Sequence, residues 1–257
     1  MPHEPQTKEL HERMLELLKN FHNFCINNNI KYSLHGGTLL GAIREKGFIP
    51  WDDDIDITFT REEFEKFRSS LIKAKELPFN YTRDFRRLIK NEEGGSFVWL
   101  DIIIYDYISE NKLIQKIKLF ILIILTAWNR SSEEMKLTKV HGLYTGWKYA
   151  IIYLLHLFGK LFPYNFKKKI IQMAYKSFPG NKQLIHRSND QYIGMVIFLP
   201  SSCMSNYQMT PFEDTELMIT TQYDLILKTT YGDDYMTPKK FDNDAKAHTE
   251  FRKMNEN

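Results

Sequence analysis

A strand that begins inside a cluster of carboxylates is the feature that most constrains this chain. Residues 52–56 contain four aspartates and run directly into alternating apolar and polar residues. Because successive side chains of a strand point to opposite faces, Asp54, Asp56 and Thr58 should share one face. Two carboxylates on one face repel each other unless a hard divalent cation such as Mg²⁺ or Mn²⁺ lies between them. The pattern predicts a metal site, whereas the alternative, a solvated acidic turn, does not account for the apolar strand that follows.

A glycine pair lies just before this strand. Gly36 and Gly37 follow a short alternating stretch that ends at Leu34, and they precede a helical pattern over residues 39–46 with Thr38 as the expected N-cap. Backbone amides at a glycine-rich turn and at a helix N-terminus bind phosphate oxygens. A tight turn that only requires glycine is the simpler explanation. With a carboxylate pair on the next strand, a phosphate and a metal ion would meet in one cleft.

A third carboxylate interrupts an apolar strand pattern over residues 97–105. Asp101 is the single charged residue of that stretch, and burying an ionised carboxylate is costly unless it has a partner or a metal ion. One explanation is an ion pair with an arginine, for which Arg44, Arg86 and Arg87 are candidates. Because aspartate is seldom fully buried without a partner, a metal-binding or catalytic role is favoured over the ion pair.

Length and cysteine content bound the class of protein. With 257 residues, of which 43% are hydrophobic, the chain is long enough for one domain with a sizeable insertion. Its two cysteines, Cys25 and Cys203, provide neither a disulfide framework nor a cysteine metal site, which suits a reducing compartment. We expect no signal peptide in residues 1–11 and no membrane-spanning helix, since no apolar run reaches about 18 residues. A cytoplasmic protein is therefore predicted.

The middle of the chain is both basic and apolar. Residues 111–182 contain thirteen lysines and arginines against two glutamates, a balance of +11, whereas the whole chain carries only +3. Two apolar runs, residues 113–128 and 149–162, are predicted helices, and the lysines around them include Lys118 and the run at 167–169. They are either buried helices under a solvated basic rim or an element that lies on an anionic membrane surface. The sequence favours neither explanation over the other.

Three shorter patterns complete the prediction. The carboxylate strand ends at Thr60, and Thr60 with Glu63 is typical of a capping box that begins the next helix. Residues 83–90 are predicted as a strand, and residues 223–230 as a helix that ends near Gly232. The first half of the chain is therefore expected to form a small α/β unit.

Two neighbouring segments resemble a known family. Residues 35–44 read His-Gly-Gly-Thr-Leu-Leu-Gly-Ala-Ile-Arg, and residues 47–56 read Gly-Phe-Ile-Pro-Trp-Asp-Asp-Asp-Ile-Asp. Together they resemble the signature of the LicD family, bacterial phosphocholine transferases of the nucleotidyltransferase-like superfamily that are related to the fukutin-type ribitol-phosphate transferases. The resemblance is continuous from about residue 32 to residue 59, and extends to residues 100–102 and 231–238. Residues 111–202 carry no motif of the family.

The resemblance implies a fold and a division of the chain. The fold class is α/β (α+β), a nucleotidyltransferase-like mixed sheet flanked by helices, with a helical basic insertion. Residues 1–110 would form the nucleotidyltransferase-like catalytic core, residues 111–182 the helical basic and apolar insertion, and residues 183–257 the C-terminal part that completes the catalytic domain.

The resemblance also implies a set of site residues. It maps the paired aspartates of the family onto Asp54 and Asp56 and the third onto Asp101, which makes these three the candidate catalytic residues. The fukutin-type enzymes also have an acid at the position of Asp52, so the candidate ligands of Mg²⁺ (or Mn²⁺) are Asp52, Asp54, Asp56 and Asp101. The candidate substrate-binding residues are Gly36, Gly37, Thr38, Arg44, Trp51 and Tyr231.

The implied activity is metal-dependent transfer of a phospho-alkyl group, phosphocholine first of all, from CDP-choline or a similar CDP-linked donor to a glycan hydroxyl. The acceptor would belong to a cell-surface glycan such as lipopolysaccharide or teichoic acid, either free or lipid-linked. A lipid-linked acceptor would place the protein at the inner face of the cell membrane, and no nucleic acid is expected as a partner. The alternatives are a nucleotidyltransferase that moves a nucleoside monophosphate and releases pyrophosphate, and a non-catalytic glycan-binding protein at the membrane surface.

Overall fold

The structure is a computed structural model that describes residues 5–91, 97–132, 134–136 and 146–238. The chain divides into two compact units, one formed by Met1–Tyr105 with Leu199–Asn257 and the other by Asp106–Phe198. Its elements form a mixed α/β fold, as the sequence predicts.

The helices are α1 (Pro5–Asn27), α2 (Gly36–Arg44), α3 (Arg61–Lys73), α4 (Lys112–Asn129), α5 (Trp147–Gly159), α6 (Tyr164–Lys176), α7 (Tyr192–Met195) and α8 (Tyr223–Tyr231), with a short 3₁₀ helix at Ser201–Met204. The strands are β1 (Ser33–Leu34), β2 (Ile55–Thr60), β3 (Asn80–Tyr81), β4 (Arg87–Asn91), β5 (Phe97–Ile108), β6 (Leu184–Arg187), β7 (Phe198–Pro200), β8 (Tyr207–Phe212) and β9 (Thr215–Thr220).

The sheet of the first unit separates an apolar face from a polar one. Its strands lie in the order β1-β2-β5-β4-β3, with β2 and β5 parallel and the other pairs antiparallel. Strand β2 buries its apolar residues as predicted, since Ile55, Ile57 and Phe59 are fully buried. On the other face Asp56 is half-buried, but Thr58 is fully buried, so the alternation in burial does not extend to Thr58. The apolar face of the sheet therefore packs in the core, and the polar face carries the carboxylates.

Helices α1 and α3 contribute to the core on the apolar face. The Phe21 ring of α1 makes edge-to-face contacts with the rings of Tyr32, Phe59 and Phe67, at centroid distances of 4.8, 6.0 and 5.7 Å. Such pairs stabilise a core beyond the area that they bury. The apolar stripe of α1 is fully buried and consists of Met14, Leu17, Leu18, Phe21 and Cys25.

Two predicted helix ends are confirmed. Thr60 is the N-cap of α3, and its side-chain oxygen accepts a hydrogen bond from the amide of Glu63 at 3.3 Å. The Glu63 carboxylate accepts from the amide of Lys31 at 2.8 Å, which ties the start of α3 to the segment before β1. Helix α8 ends at Tyr231, and Gly232 follows it with a φ of +94°, a conformation that suits glycine.

In its described residues the second unit contains three helices of more than ten residues, α4, α5 and α6, where the sequence predicts two, and the short helix α7. Helix α4 packs against α5 and α6, and strand β6 pairs with β5 and β7. Helix α6 includes the lysines at 167–169, which the sequence analysis places only on the rim of the other helices. Three successive lysines at 167–169 interrupt its apolar residues, so it contains no apolar run like those of α4 and α5. Within the described ranges, no helix is long and apolar enough to cross a membrane.

Lys118 does not lie on a basic rim, and that part of the prediction is wrong. Its side chain is fully buried, and its Nζ donates hydrogen bonds to the carbonyl oxygens of Tyr107 and Tyr175, at 2.7 and 2.8 Å. A buried ammonium group requires such acceptors. They lie near the ends of β5 and α6, and the sequence does not show that these ends would face α4.

His186 should make the second unit sensitive to acid. Its imidazole is fully buried, and burial together with the charge of Lys118 lowers its pKa to about 4, although Asp106 opposes the shift. An unfolded chain with an ordinary histidine pKa of about 6.5 binds more protons between about pH 4 and pH 6.5. Stability should therefore fall as the pH drops through this window, by roughly 3 kcal/mol at its acid end.

We expect His186→Asn to reduce this loss, because the amide keeps a donor for the carbonyl oxygen of Met195 but binds no proton. Urea unfolding of both proteins at about pH 7, pH 5 and pH 4 measures the difference. Equal loss of stability in the two proteins would contradict the assignment.

Candidate active site

Three charged side chains lie side by side across the sheet of the first unit. The parallel register of β2 and β5 pairs Asp56 with Asp101, and the antiparallel register of β4 and β5 pairs Asp101 with Arg87. Residues that lie directly opposite each other on neighbouring strands share a face of the sheet. The polar face therefore carries a row of Asp56, Asp101 and Arg87, with Asp54 just before the start of β2.

Asp101 is paired with an arginine. Arg87 donates from Nε and Nη2 to the two carboxylate oxygens of Asp101, at 2.6 and 2.8 Å, and its guanidinium lies 5.3 Å from the ring centre of Trp99. Burial by itself would lower the pKa of Arg87, but the charge of Asp101 and its hydrogen bonds outweigh burial and raise it, and Asp54 adds to the rise. The expectation of a fully buried Asp101 is wrong, since its side chain is 30% exposed. The catalytic role of Asp101 stays a prediction, since the ion pair neither requires it nor excludes it.

The glycine pair lies against two of the carboxylates. Gly36 has a φ of +52°, and a Cβ placed on it would lie 2.5 Å from Oδ2 of Asp56. A Cβ on Gly37 would lie 2.8 Å from Oδ2 of Asp52. Both distances are shorter than a side chain tolerates, so the turn and the two carboxylates approach each other this closely only because both residues are glycine.

Thr38 holds the backbone of Asp56 rather than capping a helix. Helix α2 begins at Gly36, three residues before the predicted start, and His35 occupies the N-cap position. The Thr38 hydroxyl accepts a hydrogen bond from the amide of Asp56 at 2.9 Å, and the amide of His35 donates to the carbonyl oxygen of Asp56 at 2.9 Å. These bonds position Asp56 with respect to the glycine turn.

His11 is a positioning residue that the sequence analysis misses. A nitrogen of its ring, Nε2, lies 2.8 Å from the carbonyl oxygen of Asp52, and the ring stacks on Phe48 at 4.8 Å. These contacts tie α1 to the loop that carries the acidic cluster. The sequence contains a signal for it, because His11 lies on the same helical stripe as Met14 and Leu18, and this spacing indicates an inward-facing position.

Arg44 lies at the other end of α2 from the glycine turn. Eight residues of helix separate it from Gly36, roughly 12 Å along the axis. Its side chain is only 8% exposed; Nε pairs with Glu45 at 2.7 Å, and Nη1 donates to the carbonyl oxygen of Tyr235 at 3.4 Å. The structure thus brings Arg87, not Arg44, next to the carboxylates. Of the other predicted substrate-binding residues, Trp51 is half-buried beside Asp52 in the chain, and Tyr231 is exposed at the last position of α8.

The carboxylates fit a metal ion that binds together with a phosphate ligand. Asp52 and Asp56 lie against the same turn, and carboxylate oxygens are the ligands that Mg²⁺ and Mn²⁺ prefer. In the part of the chain that the structure describes, however, no three His, Cys, Asp or Glu side chains are grouped closely enough to hold a metal ion. Mg²⁺ commonly binds one or two carboxylates and completes its shell with substrate phosphates and water. The site fits that mode of binding.

Replacing Arg87 should show whether Asp101 serves only as an ion-pair partner or also as a metal ligand. We expect Arg87→Gln to lower the stability of the metal-free protein by roughly 1–2 kcal/mol, because a charge-assisted bidentate bond is lost. The same change removes the positive charge that neutralises Asp101, which should strengthen the binding of Mn²⁺. Melting temperature and calorimetric titration with Mn²⁺ measure the two effects. Arg86→Gln is the matched control, because Arg86 pairs with Asp84 instead. Unchanged Mn²⁺ affinity in Arg87→Gln would remove Asp101 from the metal ligands.

Comparison with known proteins gives a consistent result. The model of the family described as LicD/FKTN/FKRP, nucleotidyltransferase domain, matches residues 29–120. The lipopolysaccharide cholinephosphotransferase LicD of Haemophilus influenzae is 30% identical over 269 aligned residues, which cover 91% of this chain and 92% of that protein. Uncharacterized proteins of Rickettsia typhi and Rickettsia prowazekii are 32% and 30% identical over 61% of this chain, and over 53% and 63% of their own lengths.

The similarity includes every carboxylate of the site. Residues 29–120 contain the glycine turn, the acidic cluster, Arg87 and Asp101. The similarity to the Haemophilus protein extends over nearly the whole of both chains. LicD proteins are transferases, so the predictions of an enzyme and of its family are both confirmed. The chain belongs to the LicD family.

Proposed function

We propose that this protein transfers phosphocholine from a CDP-linked donor, CDP-choline first of all, to a hydroxyl group of a cell-surface glycan. The observation that carries the proposal is the packing of the Asp52 and Asp56 carboxylates against the Gly36–Gly37 turn. Phosphocholine is the group to test first because a relative with nearly full-length similarity is named a lipopolysaccharide cholinephosphotransferase. Lipopolysaccharide is for the same reason the first acceptor, ahead of teichoic acid.

In this proposal the glycine turn binds the diphosphate of the donor. Two successive residues without side chains leave their backbone amides open to phosphate oxygens, at the N-terminus of a helix whose dipole favours negative charge. One or two of the candidate ligands Asp52, Asp54, Asp56 and Asp101 would hold a Mg²⁺ or Mn²⁺ ion together with the phosphate, and the ion would neutralise charge on the diphosphate. Arg87 contributes a positive charge in the same row of the sheet.

The transfer itself requires a base and a leaving group. The acceptor hydroxyl oxygen would form a bond to the phosphorus of the phosphocholine group, and the bond from that phosphorus to the bridging oxygen would break. Cytidine monophosphate would leave with the bridging oxygen and its electron pair. Asp101 is the candidate to accept the hydroxyl proton, because it lies in the row beside Asp56 and its side chain is partly exposed. The two hydrogen bonds from Arg87 would hold Asp101 in orientation until the substrate binds.

A donor screen tests the proposal. CDP-choline, CDP-ethanolamine, CDP-ribitol and nucleoside triphosphates are compared by thermal shift, each with Mg²⁺ and with EDTA. CDP-choline at about a hundred times its Kd should raise the melting temperature by roughly 5–10 °C, and only with the metal. A larger shift with CDP-ethanolamine or CDP-ribitol would replace choline with that group. The absence of any shift by a CDP-linked donor would overturn the proposal.

The products distinguish the transferase from a nucleotidyltransferase. The same carboxylates serve both reactions, so the site alone does not separate them. With donor labelled on the choline, the proposed reaction moves the label to lipopolysaccharide and releases cytidine monophosphate. A nucleotidyltransferase would instead use a nucleoside triphosphate and release pyrophosphate. Membership of a transferase family argues against the third alternative, a protein that only binds glycans.

A lipid-linked acceptor would bring the reaction to an anionic membrane surface, at the inner face of the cell membrane. The basic second unit supports this placement, since residues 111–182 carry a balance of +11.

A further inference from the structure

Helix α5 is apolar on two opposite faces. One face is buried within the second unit and carries Ile152, His156 and Gly159. The other carries large apolar side chains that are between 48% and 75% exposed. These side chains, which we call the α5 stripe, are Trp147, Ile151, Leu154, Phe158 and, just after the helix, Leu161. At 3.6 residues per turn the stripe spans an arc of roughly 80°.

An exposed stripe of this kind requires a cover. A helix that is apolar all round normally has both faces buried, in a protein core or against a membrane. Single exposed apolar residues are ordinary on a protein surface, but five in register on one helix face form a patch that marks an interaction site. The neighbouring helices also expose large apolar residues, Leu113 and Phe120 on α4 and Met173 on α6.

The charge around the stripe indicates what covers it. Lys148 and Lys160 are exposed at the two ends of α5, and Lys169 is exposed on α6. The surrounding segment carries a balance of +11. A second copy of this chain on the stripe would bring like charges together, which is unfavourable. An anionic lipid surface offers both an apolar interior and negative headgroups, and lysines near such a surface favour binding.

We propose that the α5 stripe docks this protein onto an anionic membrane surface, with Leu154 and Phe158 entering the acyl boundary and Lys148 and Lys160 contacting headgroups. This inference rests on the proposed function in one respect: docking would bring the enzyme to a lipid-linked acceptor. The docking itself is measured without donor or acceptor, so it fails or succeeds independently of the transfer reaction.

Vesicle sedimentation of the full chain tests the docking. The protein should sediment with vesicles of phosphatidylcholine and phosphatidylglycerol at low salt, leave them at high salt, and ignore vesicles of phosphatidylcholine alone. Trp147 provides a second readout, because its fluorescence should shift to the blue on anionic vesicles and the shift should disappear in Trp147→Phe.

Substitutions in the α5 stripe and at the nearby lysines can be compared with control substitutions on α3 and in the segment after it. Leu154→Gln with Phe158→Gln should weaken vesicle binding at least tenfold, since each exposed side chain no longer buries apolar area. Lys148→Gln with Lys160→Gln should weaken it roughly 30-fold at low salt, at about fivefold per lysine. Ile72→Gln and Lys75→Gln, which change an equally exposed apolar residue and lysine of the first unit, should leave binding unchanged. Lys167 and Lys168 are less suitable, because they contact Trp128 and Tyr164.

Three results would contradict docking of the α5 stripe on an anionic membrane. Binding that is equal on neutral and anionic vesicles, or absent from both at low salt, would overturn the proposal. So would a dimer in light scattering that Phe158→Gln dissociates, because the stripe would then be covered by a second copy. All variants should keep the wild-type melting temperature, since the changed side chains are exposed; a lowered value would show that α5 is needed inside the fold and would also count against a free docking face.

Discussion

The Asp56→Asn variant is expected to lose phosphocholine transfer by about a thousandfold and to remain folded. Stabilisation of transition-state charge by a metal ion contributes several kcal/mol, and about 4 kcal/mol corresponds to a thousandfold in rate. Asparagine keeps the shape of the side chain but loses the charge that binds the cation. The hydrogen bonds of Asp56 to Thr38 and His35 use its backbone, so they survive the change.

The stability of the metal-free Asp56→Asn protein should equal or slightly exceed that of the wild type. Asp56 lies opposite Asp101 in the sheet and packs with Asp52 against the glycine turn, so removing one negative charge should relieve repulsion. Release of cytidine monophosphate measures the activity, and the melting temperature with EDTA measures the stability. Asp54→Asn should behave in the same way, whereas Asp214→Asn, at an exposed acid paired with Lys19, is the control that should retain activity. An Asp56→Asn enzyme with near wild-type turnover would refute the metal assignment, and loss of folding would make the cluster structural.

The second large effect is expected from Gly37→Val, which should weaken donor binding at least tenfold and lower the melting temperature by only a few degrees. A Cβ at this position lies 2.8 Å from Oδ2 of Asp52, so that carboxylate has to move. Moving the end of a side chain costs little stability, but it displaces a candidate metal ligand. The valine methyl groups would also occupy the space where the turn is proposed to receive phosphate.

Gly36→Ala gives the contrasting result. Gly36 has a φ of +52°, which an L-residue adopts at a cost of roughly 1–2 kcal/mol, so this variant should lose both stability and donor binding. Thermal shift with CDP-choline and the melting temperature without donor separate the two effects in each variant. If Gly37→Val instead melts far below the wild type while its folded fraction binds donor normally, the turn has only a structural role.

Local patterns in the sequence predicted much of the first unit. The alternation of residues 54–59 predicted the three buried apolar side chains of β2, because strand periodicity does not depend on the rest of the fold. It did not predict that Thr58, on the opposite face, is buried as well. The Thr60 cap and the end of α8 at Gly232 were predicted for the same reason, since caps depend on neighbouring residues. The start of α2 was predicted three residues late because Thr38 has the chemistry of an N-cap but uses its hydroxyl to bind the amide of Asp56.

The errors concern residues whose partners are distant in the chain. Lys118 was assigned to the surface, yet it is buried because two backbone carbonyls reach it from β5 and α6. The position of Arg44 was also not predicted, since it lies at the end of α2 opposite the glycine turn and donates to the carbonyl oxygen of Tyr235; its role in substrate binding stays a prediction. Asp101 was expected inside the core, yet it is partly exposed and paired with one of the three arginines considered, Arg87.

The sequence by itself determined the family, the α/β class and the identity of the acidic strand and glycine turn, because each of these is encoded in a short run of neighbouring residues. Only the tertiary structure decided that Arg87 is the partner of Asp101, that His11 holds the Asp52 loop and that one face of α5 is exposed. Strand register and helix packing set these contacts. They join residues that lie up to 41 positions apart, over which local periodicity carries no information.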